Sequence, residues 1–173
     1  MRYATIVADP PWRYAAPGTT KVDTRKHYDS MSMGEICALR DHVLDMAEPD
    51  SHLWLWATNA FLEEGYDVVR AWGYRPLTVV TWCKPQPGVG HYLRNNTEHC
   101  ILAARGKPLT PEKAPVSTWF VWPRGRHSEK PDAFYDLVEQ VSPEPRLEMF
   151  SRRARLGWST WGNEALEGIS ANG

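Results

Sequence analysis

The sequence predicts an α/β fold in which helices cover both faces of a mainly parallel β-sheet. Apolar runs of strand length alternate along the chain with segments of helical periodicity, which is the pattern of such folds. The chain has 173 residues, of which 42% are hydrophobic, and this is sufficient for one hydrophobic core. We therefore expect a single domain over residues 1–173.

The strands are predicted at apolar runs bounded by turn residues. These runs are 3–8, 52–57, 77–83, 99–104, 119–122 and 146–150, and the last recognisable element is near 158–161. Residues 13–31 are polar and contain Pro17 and Gly18, which predicts a long mobile loop that closes over a substrate. Because ligands bind beyond the carboxyl ends of parallel strands, we expect Asp9 and Ser151 to lie beside one crevice.

The helices are predicted from their start and stop signals. Residues 32–35 have the spacing of a capping box and precede a helical stripe of apolar residues. Asn59 is expected to cap a second helix, which Gly73 terminates. Pro131 suits the first turn of a further helix over residues 131–141.

Composition limits the classes of function. The net charge of −1 excludes a strongly basic surface, so contacts to nucleic acid require a local basic patch. Nine Trp and seven Tyr offer rings on which bases can stack, although most such residues belong to cores. The spacing of the three cysteines matches no zinc site, and we expect reduced thiols and no metal. The sequence shows neither a membrane-length apolar run nor a signal peptide, so we expect a cytoplasmic protein.

The motif Asp9-Pro10-Pro11-Trp12 follows the first predicted strand directly. An exocyclic amine of a base is a poor nucleophile, because its lone pair is delocalised into the ring. The Asp9 carboxylate and the Pro10 carbonyl can accept hydrogen bonds from its two N–H groups, and Pro11 helps to make the support rigid. Trp12 offers a face for a flipped base. The alternative is an ordinary strand-ending turn, since Asp and Pro are common in turns.

Five segments of the sequence resemble, in order, the MT-A-70-like family of adenine-N6 methyltransferases, which includes the catalytic subunit of the eukaryotic mRNA adenosine methyltransferase. They are Asp9-Pro10-Pro11-Trp12, Tyr28-Asp29-Ser30-Met31-Ser32, Glu98-His99-Cys100, Ser128-Glu129-Lys130-Pro131-Asp132, and Glu148-Met149-Phe150-Ser151-Arg152 with Gly162-Asn163-Glu164. The resemblance implies a Rossmann-like, S-adenosylmethionine-dependent methyltransferase fold with permuted motif order. It also implies transfer of a methyl group to the N6 amine of adenine.

The resemblance further implies a set of residues that bind S-adenosyl-L-methionine. Lys130 pairs with the methionine carboxylate, and Asp9 contacts both the methionine amine and the target amine. The other members of the set are Phe150, Arg152, Asn163 and Glu164, of which Arg152 and Asn163 lie at the ribose. From the residues alone, three alternatives stay open: Lys130 as a solvated surface lysine, Arg152 as a phosphate contact and Asn163 as a turn residue. No residue is assigned to the adenine of the cofactor, and Arg155 is given no role.

The expected partner is nucleic acid, with DNA favoured over RNA because the chain is compact. A catalytically inactive binding homologue and a methyltransferase for small molecules or proteins are the alternatives. The predicted substrate contacts are Trp12, Tyr14, Tyr28, Lys84, Glu98 and Arg126, supported by cations at Arg13, Lys21, Arg25, Lys26, Arg94 and Arg124. Each of these cations is also compatible with an ordinary solvated loop. The sequence predicts no oligomeric state.

Overall fold

A computed structural model describes residues 1–13, 30–86, 88, 92–109, 117–123, 129–151 and 154–162. Within these ranges the chain forms seven strands, four α-helices and one 3₁₀ turn over Asn59–Phe61. The strands are β1 Tyr3–Ala8, β2 Ala47–Thr58, β3 Arg75–Cys83, β4 Thr97–Arg105, β5 Trp119–Val121, β6 Arg146–Met149 and β7 Trp158–Trp161. The helices are α1 Met33–Ala38, α2 Arg40–Met46, α3 Leu62–Ala71 and α4 Asp132–Val141.

The described strands form one sheet in the order β5-β3-β4-β2-β1-β6-β7. Four of the pairings are parallel, namely β1 with β2 and β6, β3 with β5, and β6 with β7. Only β4 runs antiparallel to its two neighbours, β2 and β3. The prediction of a mainly parallel sheet is therefore confirmed, with one reversed strand near its middle.

Two hydrophobic clusters lie on opposite faces of the sheet, because alternate residues of a strand point to opposite sides. On β2, Leu53 and Leu55 join the first cluster with residues of α1, α2 and α3. Trp54 and Trp56 join the second cluster with Phe134 of α4. Helices thus cover both faces, as the sequence predicts. The carboxyl ends of the parallel strands lie at one edge of the sheet, which is where the candidate site is described below.

Local signals fix most of the element boundaries. The capping box at Ser32 is present, since its side chain accepts from the backbone N–H of Glu35 while the Glu35 carboxylate accepts from the N–H of Ser32. The helical stripe behind it is divided into α1 and α2 at Leu39. Gly73 follows α3 with a φ of +83°, a conformation that favours glycine.

The prediction that Asn59 caps a helix is wrong. Asn59 begins the 3₁₀ turn, and α3 starts only at Leu62 without a capping side chain. The Asn59 amide instead donates to the hydroxyl and the carbonyl of Thr97 at the start of β4, at 3.0 and 3.2 Å. The Asn59 side chain therefore hydrogen-bonds a residue distant in sequence and does not cap a helix.

Candidate active site

Asp9 is the first residue after β1, at the carboxyl edge of the sheet. Ala8, the last residue of β1, pairs with Leu55 of β2 on one side and with Met149 of β6 on the other. The Asp9 carboxylate therefore emerges between two strand ends, and 38% of its side chain is exposed. This confirms that the motif and the segment after β6 lie beside one another, as the topology predicts.

Lys130 is the cation of the site and lies just before α4. Its Nζ atom is 2.7 Å from Oδ2 of Asp9 and 3.1 Å from Oε2 of Glu98. It also lies over the ring of Trp56, 5.0 Å from the centroid. Burial lowers the pKa of Lys130, but the charges of Asp9 and Glu98 outweigh burial and leave the pKa raised. Lys130 is therefore a charged, enclosed side chain and not a solvated surface lysine.

Glu98 reaches the same edge because β4 is reversed. It is the second residue of β4, and its partners Thr58 and Trp82 are the last or nearly the last residues of β2 and β3. Burial raises the pKa of Glu98, while Lys130 and Lys84 lower it, and the net shift is downward. The carboxyl group is thus held in its ionised form between two lysines.

Lys84, a predicted substrate contact, is enclosed by other side chains of the site. Its Nζ atom pairs with Oε1 of Glu98 and lies 4.6 Å from the ring centroid of Trp82. Only 14% of the side chain is exposed, because the carboxylate and the indole cover it. A role for Lys84 in substrate binding would therefore be exerted through the charge of Glu98.

The backbone of the Asp9–Trp12 segment is closely held. The carbonyl of Pro10 accepts from the N–H of Trp12 at 2.9 Å, and the carbonyl of Pro11 accepts from the N–H of Met31 at 2.8 Å. Pro10 is buried, and its carbonyl oxygen retains a second lone pair that could accept from a substrate amine. The two prolines and these bonds fix the path of the chain from Asp9 onward.

The indole of Trp12 is packed on one face. Its ring stacks on Phe61, with centroids 5.2 Å apart and planes at 13°, and its Nε1 donates to the carbonyl of Trp56 at 3.1 Å. The side chain is half-buried against the first hydrophobic cluster. At least one of the two ring faces is therefore already covered, which narrows the predicted role of Trp12 in base stacking.

The end of β6 contributes a third carboxylate to this region. Glu148 accepts from the hydroxyl of Tyr135 at 2.5 Å and from the hydroxyl of Ser151 at 3.0 Å. Burial raises the pKa of Glu148 more than these two hydrogen bonds lower it. Phe150 follows with a φ of +62°, and its N–H donates to the carbonyl of Trp161 on β7.

Arg155, which the sequence leaves without a role, joins the turn after β6 to α4. Its guanidinium lies 3.8 Å from the ring centroid of Tyr135 and 2.5 Å from Oδ1 of Asp132. Two of the predicted cations are described and exposed: Arg13 donates to the carbonyl of Ser30 at 2.6 Å and pairs with Glu35 at 3.4 Å, and Arg94 follows β3. The other predicted contacts lie outside the described residues, and their placement stays a prediction. They are Tyr14, Tyr28, Arg124, Arg126, Arg152, Asn163 and Glu164, together with most of the loop predicted over 13–31.

Sequence reasoning missed three residues that support the motif, namely Asn59, Phe61 and His99. Nε2 of His99 is 2.9 Å from Oδ1 of Asn59, and its Nδ1 is 3.1 Å from the hydroxyl of Thr81. His99 belongs to the Glu98-His99-Cys100 segment, and the family resemblance of that segment is the one feature of the sequence that indicates a role for it. For Asn59 and Phe61 no local pattern indicates contact with the motif.

The fold is consistent with that of the Rossmann-like methyltransferases. The sequence model of the MT-A70 family matches residues 3–164, and the chain belongs to this family of N6-adenine methyltransferases. The "N(6)-adenosine-methyltransferase MT-A70-like protein" of Drosophila melanogaster is 30% identical over 97% of the chain and 28% of its own length. The "N(6)-adenosine-methyltransferase catalytic subunit METTL3" of Homo sapiens is 28% identical over 97% of the chain and 29% of its own length.

A bacterial relative is matched over more of its own length. The "Type II methyltransferase M.MunI" of a Mycoplasma species is 28% identical over 94% of the chain and 78% of its own length. By contrast, the chain spans only about a quarter of the length of the eukaryotic relatives. Within the described ranges, no helix has the length and apolar character needed to cross a membrane. In the same ranges, no group of three or more His, Cys, Asp or Glu side chains could hold a metal ion.

Proposed function

We propose that the chain transfers a methyl group from S-adenosylmethionine to the N6 amine of adenine in a nucleic acid. The observation that carries this proposal is the Asp9 carboxylate, which lies partly exposed at the end of β1 on a rigid two-proline support and beside Lys130. Membership of the MT-A70 family and the names of the relatives support the same reaction.

Asp9 and Pro10 are suited to activate a weakly nucleophilic amine. A carboxylate and a carbonyl on one rigid segment can each accept one N–H of the amine. Two such bonds draw the nitrogen toward sp³ geometry and return its lone pair from the ring. The two acceptors are in place before the substrate binds, because the prolines and the Trp12–Pro10 hydrogen bond already fix the segment. Ordering them therefore costs no further chain entropy during the reaction.

The charged residues of the site fit the amino-acid part of the cofactor. That part carries one carboxylate and one ammonium group, and the site offers Lys130 beside Asp9 and Glu98, with Glu148 close enough to Asp9 for their charges to interact. Lys130 would donate to the carboxylate, a strong charge-assisted hydrogen bond. The carboxylates supply a negative environment for the ammonium. When bound, the cofactor supplies an electrophilic methyl group on a positively charged sulfur.

Lys130 also has a consequence for Asp9. While Lys130 donates to Asp9, that carboxylate has one acceptor site fewer for a substrate amine. Lys130 would hold the carboxylate of the cofactor with the same ammonium group, and Asp9 would then keep both of its oxygens as acceptors for the base.

DNA is the polymer that we propose first, and RNA is the alternative. The experiment is mass spectrometry of nucleosides after incubation of DNA and of RNA with the protein and isotopically labelled S-adenosylmethionine. N6-methyladenine in DNA is the expected product. The same product in RNA alone would show that RNA is the substrate and would leave the proposed reaction unchanged. No product from either polymer, with intact cofactor binding, would make the chain an inactive homologue.

The matching variant is Asp9→Ala, which we expect to lower turnover by about 100-fold or more, the size of effect seen when a preorganised hydrogen-bonding group is lost. Because Asp9 lies partly exposed at a strand end, the fold should be retained. Asp41→Ala removes an exposed carboxylate of α2 and is the control. Turnover of Asp9→Ala near that of Asp41→Ala would exclude the proposed role.

A further inference from the structure

Two charged groups of the proposed cofactor site belong to different elements. Lys130 precedes α4, and Glu148 is the third residue of β6. Helix α4 packs on one face of the sheet through Phe134 and its neighbours, whereas β6 is a strand of that sheet. The position of Lys130 relative to Glu148 therefore depends on side-chain contacts between the helix and the segments around β6.

Arg155 makes such contacts at the first turn of α4. Its guanidinium donates to Oδ1 of Asp132, the first residue of the helix, at 2.5 Å and lies 3.8 Å from the ring centroid of Tyr135. The backbone of Arg155 is held as well, since its carbonyl accepts from the N–H of Trp158, the first residue of β7. The Arg155 side chain is largely enclosed, which strengthens an interaction between a cation and an aromatic ring.

Tyr135 connects Arg155 to the carboxylate of Glu148. The Tyr135 hydroxyl donates to Oε1 of Glu148 at 2.5 Å, and the Ser151 hydroxyl donates to Oε2 at 3.0 Å. The groups that face Glu148 are thus Tyr135 from α4, Ser151 and Arg155 after β6, and Asp9 after β1. Burial and the charge of Asp9 raise the pKa of Glu148, whereas the two hydrogen bonds and the charge of Arg155 lower it. Arg155 therefore favours the ionised carboxylate.

We propose that Arg155 is a positioning residue, which fixes the first turn of α4 against the segment after β6 and so sets Lys130 and Glu148 for the cofactor. The proposal rests on the proposed function and concerns how the same site is built. Lys130 would hold the carboxylate of S-adenosylmethionine, and Glu148 would supply negative charge for its cationic groups. Arg155 contacts neither the cofactor nor the base in this proposal, and it acts through Asp132 and Tyr135.

A matched control lies toward the other end of α4. There Oε1 of Glu139 accepts from Nε1 of Trp158 at 2.7 Å, which also joins the helix to β7. Glu139 is about 10 Å along the helix axis from Asp132. Glu139→Ala therefore removes a contact of the same helix away from the cofactor site, whereas Arg155→Ala removes the contact beside it.

Isothermal titration calorimetry with S-adenosylmethionine alone tests the proposal without turnover. We expect Arg155→Ala to raise the Kd by about three- to tenfold, the effect of losing an enclosed contact between a cation and a ring. Asp132→Asn keeps the contact of Arg155 with Tyr135 and should raise the Kd by less, and Glu139→Ala should leave it near the wild-type value. Circular dichroism checks that each variant is folded. A Kd for Arg155→Ala or Asp132→Asn no larger than that for Glu139→Ala would overturn the proposal.

The pH dependence of binding distinguishes positioning from a general loss of stability. Without the guanidinium the pKa of Glu148 should rise further, so the affinity of Arg155→Ala should fall at a higher pH than that of the wild type as the pH is lowered. Arg155→Lys keeps the positive charge and should restore much of the wild-type profile. An equal loss of affinity at every pH would contradict the proposed role of Arg155. Absence of binding by the wild type would instead show that the proposed function itself is wrong.

Discussion

Replacing Lys130 by Ala should weaken cofactor binding strongly and selectively. In the structure, Nζ of Lys130 lies 2.7 Å from Asp9 and 3.1 Å from Glu98, so the ammonium group is already placed at the anionic end of the proposed cofactor site. A hydrogen bond to a charged group contributes about 1.5–3 kcal/mol. This corresponds to a roughly 10- to 150-fold increase in the Kd for S-adenosylmethionine.

We expect the upper part of that range. Without Lys130 the site keeps the carboxylates of Asp9, Glu98 and Glu148, and these repel the carboxylate of the cofactor. Loss of one partner of a buried ion pair costs about 3–5 kcal/mol of stability when the other charge is left alone. Here the cost should be smaller, because Glu98 retains Lys84 and Asp9 faces solvent. The variant should therefore remain folded at the assay temperature.

Isothermal titration calorimetry with S-adenosylmethionine measures the effect directly. Lys107→Ala is the control, since Lys107 is an exposed lysine beyond the opposite end of β4. Lys130→Arg keeps the charge and should retain more affinity than Lys130→Ala. A Kd for Lys130→Ala within twofold of the Lys107→Ala value, in a protein that circular dichroism shows to be folded, would refute the assignment of Lys130.

Two further predictions concern stability. Nδ1 of His52 is 2.9 Å from the hydroxyl of Ser142, and burial lowers the pKa of the ring. The neutral ring therefore contributes its full share of the free energy of unfolding above the unfolded pKa of about 6.5. This share is lost as the pH falls from there through the folded pKa. Urea unfolding between pH 7.5 and 5 should show a loss of up to about 1.4 kcal/mol per pH unit from this group, and His52→Gln should flatten the profile; an unchanged slope in the variant would contradict it. Gly106→Ala should cost about 1–3 kcal/mol, because φ is +62° and a Cβ would lie 2.0 Å from Oδ1 of Asp50. Gly34→Ala in α1, with no heavy atom within 4 Å, should instead gain about 0.5–1 kcal/mol, and equal effects of the two changes would disprove the steric account.

The features that could be predicted from the sequence are those that neighbouring residues determine. Strand β1 begins and ends where the apolar run does, and the capping box at Ser32 forms from residues three positions apart. The position of Asp9 followed from one rule of α/β sheets, because a strand end determines the edge. Each of these inferences needed only a short window of sequence.

The contacts that could not be predicted join distant segments. Asn59 is a residue type that is common at helix N-caps, yet its side chain hydrogen-bonds Thr97 at the start of β4. Lys84 has the appearance of a loop cation, yet Glu98 and Trp82 enclose it. In both cases the sequence gives the chemical capacity of the side chain. The partner depends on strand order and direction, which local periodicity does not encode.

The reversal of β4 accounts for the electrostatics of the site. In a fully parallel sheet the first residues of β4 would lie at the amino edge. Glu98 would then be separated from Asp9 by about the length of a strand. Because β4 is antiparallel to β2 and β3, Glu98 lies at the carboxyl edge and links Lys84 to Lys130. The carboxylate offsets the burial of Lys130, which therefore stays charged and able to bind an anion. Asp9 and Glu148 add further carboxylates at this edge, and their negative charge suits a positively charged sulfur. One reversed strand thus makes a single site suitable for both charges of the proposed cofactor.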